Sequence, residues 1–87
     1  MDQNTPLSIY PNPATNVLKL SLENGFSKNT GLEIFDETGK LVMSKQLQNL
    51  DFKGIIQLDI TSLSNGRYFV RLTDSTGFVT KNFVVAR

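Results

Sequence analysis

From Arg67 to Thr73 the side chains alternate, with Tyr68, Val70 and Leu72 on one side and Arg67, Phe69, Arg71 and Thr73 on the other. Consecutive side chains of a strand project to opposite faces, so this spacing commits the stretch to a half-buried strand and rules out a helix. Ser64-Asn65-Gly66 precedes it, and an Asn-Gly pair supplies at little cost the positive φ angles of a tight turn. A second turn, Asp74-Ser75-Thr76-Gly77, leads into another alternating run over 78–85. Residues 66–85 therefore read as the central hairpin of an all-β domain.

The remainder of the chain repeats the theme. A short strand over 7–10 puts Leu7 and Ile9 on one face and stops at Pro11-Asn12-Pro13, because proline has no N–H to give to a ladder. A strand over 16–22 carries the stripe Leu18, Leu20 and Leu22, and 23–30 reads as a loop, with Phe26 folded back over an edge. A third strand over 31–35 turns its Leu32 and Ile34 inward, and Asp36-Glu37-Thr38-Gly39 makes a turn into a fourth strand over 40–47. There Leu41, Met43 and Leu47 share a face with Lys45, which predicts a bulge or an exposed strand end. A loop over 48–54 leads to a fifth strand over 55–60, with Ile56, Leu58 and Ile60 inward.

Seven short strands spaced roughly eight to twelve residues apart, with turn residues between them, are the pattern of a two-sheet sandwich. One sheet could not cover both the leucine stripe of 16–22 and the stripe of 67–73, whereas two facing sheets cover both. The expected fold is a seven-stranded antiparallel immunoglobulin-like β-sandwich, and 87 residues make one domain.

Function classes fall away on simple grounds. Net charge is +1 with the cations dispersed, which lacks the basic stripe of a nucleic-acid binder. No apolar run approaches the ~20 residues of a spanning helix, and no basic amphipathic helix is present, so direct membrane insertion is not expected. Met1 to Thr5 is too polar and short for a secretory signal, and Met1 reads as a start residue placed on a fragment. The sequence contains no Cys and no His, which removes thiol nucleophiles, disulfides, the usual zinc ligand sets and histidine bases. Asp36, Glu37, Asp51, Asp59 and Asp74 lie in or beside turns, without calcium-loop spacing or an acid–base pair. No catalytic residue, metal or cofactor is assigned, and an enzyme is not expected.

Four boxes in order carry a family resemblance. Ile9-Tyr10-Pro11-Asn12-Pro13 is followed by a leucine-rich strand, and Leu32-Glu33-Ile34-Phe35-Asp36-Glu37-Thr38-Gly39-Lys40 is an apolar strand with an acidic turn and Gly-Lys. Leu63-Ser64-Asn65-Gly66-Arg67-Tyr68 and Lys81-Asn82-Phe83-Val84-Val85 complete the set, with two residues remaining. Over nearly its whole length the chain resembles the C-terminal sorting domain of type IX secretion cargo, of the β-sandwich kind called type A. One departure is Ser64, where the family has proline in its turn.

The resemblance implies residues 1–5 as a start or linker remnant and 6–87 as the sorting domain. It implies a substrate of the type IX translocon, of its outer-membrane shuttle protein and of a cell-surface sortase, passing the periplasm and ending at the cell surface or outside. The recognition residues it implies are Pro11, Asn12, Pro13, Gly39, Lys40, Gly66, Tyr68, Lys81, Phe83, Val84 and Val85. Several have a plainer role beside this one: a rigid corner for Pro11 to Pro13, turn glycines for Gly39 and Gly66, and a core ring with its hydroxyl at the rim for Tyr68. Lys81 shares a face with Val79, Phe83 and Val85, where strand geometry reads it as edge protection and the resemblance adds recognition. A partner strand adding to the closing edge is the expected docking mode, and a strand-paired dimer is a second use of such an edge. The alternative function is a carbohydrate-binding or adhesive module, which needs coplanar exposed rings from Phe69, Phe35 and Tyr10.

Overall fold

The computed structural model describes residues 6–22, 29–48 and 55–87. Among the described residues there are seven strands and no helix: β1 (Leu7–Tyr10), β2 (Val17–Leu22), β3 (Asn29–Asp36), β4 (Leu41–Gln48), β5 (Ile55–Asp59), β6 (Gly66–Asp74) and β7 (Gly77–Val85). They form a three-stranded sheet in the order β1-β2-β5 and a four-stranded sheet in the order β4-β3-β6-β7. All five strand pairings are antiparallel. The β6–β7 hairpin is thus half internal, with β6 inside the sheet and β7 at its edge.

The inward stripes meet as the alternation requires. Leu18, Leu20, Leu58 and Ile60 from one side face Leu32, Ile34, Val70, Leu72, Val79 and Phe83 from the other, and all are almost fully buried. Each such side chain contributes about 1.5–3 kcal/mol of transfer free energy, which makes this layer the main favourable term of the fold. Leu7 closes the core at the β1 edge, with Ile9 packed partly against it.

Two expectations for the middle of the chain need correction. β3 begins at Asn29, two residues before the expected start, because Asn29 and Thr30 pair with Gln48 and Leu47. Thr30 is fully buried there. The second correction concerns Leu41. Ile34 pairs with Met43 but Phe35 pairs with Leu41, so the register shifts and Val42 is the extra residue of a bulge. The shift moves Leu41 to the outer face beside Phe35, where it is 46% exposed, while Leu47 stays in the core and Met43 packs against it. The proposed packing of Phe26 and most of the 48–54 loop lie outside the described residues.

Both edges of the four-stranded sheet carry a lysine at a core-facing register. Lys45 of β4 pairs with Leu32, Lys81 of β7 pairs with Val70, and both are exposed because the edge lets the side chain escape sideways.

The motif Asp-x-Thr recurs at the ends of β3, β5 and β6. In each case one carboxylate oxygen accepts from both the backbone N–H and the hydroxyl of the threonine: Asp36 with Thr38 (2.9 and 2.6 Å), Asp59 with Thr61 (2.9 and 2.7 Å), Asp74 with Thr76 (2.8 and 2.7 Å). These local bonds satisfy backbone donors where the ladders end.

Candidate recognition surface

At Tyr10 the first strand ends, and the Tyr10–Pro11 and Asn12–Pro13 peptide bonds are both cis. The corner carries the chain from the three-stranded sheet to the outer edge of β7. Ala14 N–H donates to the Val84 carbonyl (2.7 Å), Ala86 N–H donates to the Ala14 carbonyl (2.9 Å), and Val84 N–H donates to Asn12 Oδ1 (3.0 Å). Ala14 and Val85 form a parallel bridge, and Ala14 is fully buried. The closing strand was expected to offer an open edge; at Val84 and Ala86 that edge is already occupied, because the corner supplies the missing neighbour.

The turn before β6 is fixed from three directions. Tyr68 donates its hydroxyl proton to the Ser64 carbonyl four residues upstream (2.7 Å), and its ring stacks on Phe83 with centroids 5.5 Å apart and planes 22° apart. This is the tyrosine-corner arrangement of immunoglobulin-like sandwiches. Gly66 has φ +155°, an angle that an L side chain rarely adopts. Asn65 Oδ1 accepts from Arg87 N–H (3.0 Å), and the Arg87 guanidinium donates to the Ile60 carbonyl (2.7 Å), the Leu63 carbonyl and Asn16 Oδ1 (3.4 Å).

The β3–β4 turn lies beside this corner, across a cleft of about 240 Å³ whose lining includes Asp36, Thr38, Gly66 and Tyr68. Asp36 Oδ1 also accepts from Lys40 N–H (3.0 Å), and Gly39 takes φ +89°. The Thr38 hydroxyl, with the Lys40 N–H second, holds the Asp36 carboxyl below the ordinary carboxylate range.

The structure therefore gathers Pro11, Asn12, Pro13, Gly66, Tyr68, Phe83, Val84 and Val85 at one end of the sandwich, with Gly39 and Lys40 on the adjacent turn. Lys81 stands apart, further along β7. Tyr68, Phe83 and Val85 are buried at 6%, 1% and 1% exposure, so they shape this end from within, while Pro11, Asn12, Pro13 and Lys40 are exposed on it. Sequence reasoning missed Arg87 as a clip and the specific Asn12–Val84 bond. The rings needed for the carbohydrate reading do not share a plane: Tyr10 belongs to the three-stranded sheet, while Phe35 and Phe69 pair across the outer face of the other. The Phe35 ring is moreover covered by the Arg71 guanidinium, 5.0 Å from its centroid.

The family model for the secretion system C-terminal sorting domain matches residues 8–86. The chain belongs to this family. It is a C-terminal sorting signal of type IX secretion, and export across the outer membrane to the surface or beyond is what such a signal serves. No curated protein matches the sequence. In fold, the sorting domain is similar to a DUF3244-family protein of Bacteroides vulgatus with an immunoglobulin-like β-sandwich (TM-score 0.73, 16% identity, 95% of this chain and 87% of that one). It is also similar to CopC from Methylosinus trichosporium (TM-score 0.57, 22% identity, 92% and 93%). At these identities the likeness is of fold alone.

Proposed function

We propose that the sorting domain is recognised already folded, at the end of the sandwich built by the Pro-Asn-Pro corner, the β5–β6 turn and the end of β7. The translocon binds it there in the periplasm, the outer-membrane shuttle protein carries it, and a cell-surface sortase separates it from its cargo. The domain is the substrate of that cleavage and performs none of it. The observation that carries this reading is the bond between Asn12 and Val84, 72 residues apart: boxes scattered over the sequence become one rigid surface only in the folded state. Strand addition at the last residues of β7 would first have to displace Asn12 and Ala14, so docking on the formed surface, with Lys40 at its margin, is the simpler mode.

The test is a secretion assay with the whole chain fused behind a reporter that carries a periplasmic signal. Reporter outside the cell, freed of the domain, only in a strain with a working type IX translocon supports the proposal. Reporter held in the periplasm with or without the translocon overturns it. Deleting 81–87 is a poor substitute, because it also removes the core residues Phe83 and Val85.

A further inference from the structure

Arg67 and Arg71 lie on the same strand and the same outward face, in contrasting surroundings. Arg71 donates to Glu33 Oε1 from Nη2 (2.8 Å) and Nε (3.2 Å) and covers the Phe35 ring. Arg67 is exposed and has no hydrogen bond, ion pair or ring contact among the described residues. It sits opposite Val84, the residue that Asn12 pins. Between them is a depression of about 350 Å³ whose lining includes Asn12, Arg67, Phe69, Asn82 and Val84 and has no carboxylate among the described residues; Arg67 also borders the neighbouring cleft, where Asp36 and Glu37 lie without an ion pair to it.

The hydrogen-bonding capacity left over in this depression is mostly donor. Arg67 presents its whole guanidinium fork. Asn12 accepts from Val84 with its side-chain oxygen and keeps its two amide N–H donors, and the exposed Asn82 side chain, with two donors and an acceptor oxygen, has no partner among the described residues. Phe69 and Val84, each half-buried, supply an apolar floor. A guanidinium fork on a rigid strand matches a carboxylate with two parallel bonds, and flanking amides suit the carbonyls of an extended backbone. The volume stands at the low end of ligand pockets, about 300–1,000 Å³, which fits a short stretch of side chains and not a large molecule.

We propose that this depression takes an acidic side chain, with an apolar neighbour, from an extended segment of the secretion machinery, and that Arg67 is its charge partner. The inference rests on the recognition reading above. Its test compares the unsubstituted chain with Arg67→Glu, Arg67→Gln, Arg67→Lys and, as a charge control on the outer face of the other sheet, Lys19→Glu, all in the secretion assay. Arg67→Glu lowers the secreted fraction by at least about tenfold, Gln by less and Lys least, while Lys19→Glu behaves as the unsubstituted chain. All variants melt within about 4 °C of it, since the substituted side chains are exposed. Equal secretion of Arg67→Glu and the unsubstituted chain overturns this proposal and leaves the sorting role intact. Equal loss from Arg67→Glu and Lys19→Glu also overturns it, as an effect of net charge. No secretion of the unsubstituted chain removes the recognition reading itself.

Discussion

Asn12 Oδ1 accepts the backbone N–H of Val84 at 3.0 Å across 72 residues of sequence, joining the first corner of the sandwich to its last strand. Asn12→Ala leaves that N–H without its partner and costs about 1 kcal/mol, measurable by chemical denaturation. The same variant exchanges the Val84 amide proton faster than the amides of β6. Unchanged exchange at Val84 would mean that the bond contributes nothing.

Tyr68→Phe keeps the stacked ring against Phe83 and removes only the hydroxyl that binds the Ser64 carbonyl. The expected loss is about 0.5–1.5 kcal/mol, seen as a lower denaturant midpoint with an unchanged slope. A loss above that range would point to a disturbed core and not to the hydroxyl.

Acid should weaken the domain through two of its turns. The Thr38 hydroxyl holds Asp36 low, and the Thr61 N–H does the same for Asp59. A folded pKa below the unfolded value contributes stability above the unfolded value, ~3.9, and that contribution is lost as pH falls through the folded one. Stability is therefore level towards neutral pH and declines below about pH 4. The double variant Asp36→Asn with Asp59→Asn declines less steeply; an identical decline would exonerate both turns.

Replacing the two edge lysines tests their shared role. Lys45→Val with Lys81→Val turns both edges of the four-stranded sheet apolar, and sedimentation should show association that rises with concentration. A double variant that stays monomeric would leave Lys81 free for recognition alone.

Leu20→Ala empties the centre of the β2 stripe, and Leu20 is fully buried. The expected cost is about 2–5 kcal/mol by denaturation, against at most a few tenths for the exposed Lys19→Ala beside it.

Much of this architecture was legible in the sequence, because the period-two pattern of Leu18, Leu20 and Leu22 or of Tyr68, Val70 and Leu72 has only one structural reading. What was less legible depended on distant partners. Asn29 and Thr30 look like loop residues by themselves and become strand because β4 runs alongside them. Leu41 has the parity of Met43 and Leu47, and only the pairing with β3 fixes the bulge at Val42. At the end of the sandwich where the corner meets β7, Pro11-Asn12-Pro13 announces a stop but not its destination, and nothing around Arg87 signals carbonyl partners at Ile60 and Leu63. Asp-x-Thr, by contrast, was readable three times over as a turn cap and is the local signal most easily overlooked.

The closure between Pro11–Ala14 and residues 84–87 also sets an order of events. Contacts at such sequence separation must meet the loop-closure entropy of the chain between them. During synthesis the corner stays without its partners until residues 84–86 have emerged. A polypeptide broken off before Val84 leaves Asn12 and Ala14 without the backbone groups they bind, so this end of the sandwich reports that strand and corner have met.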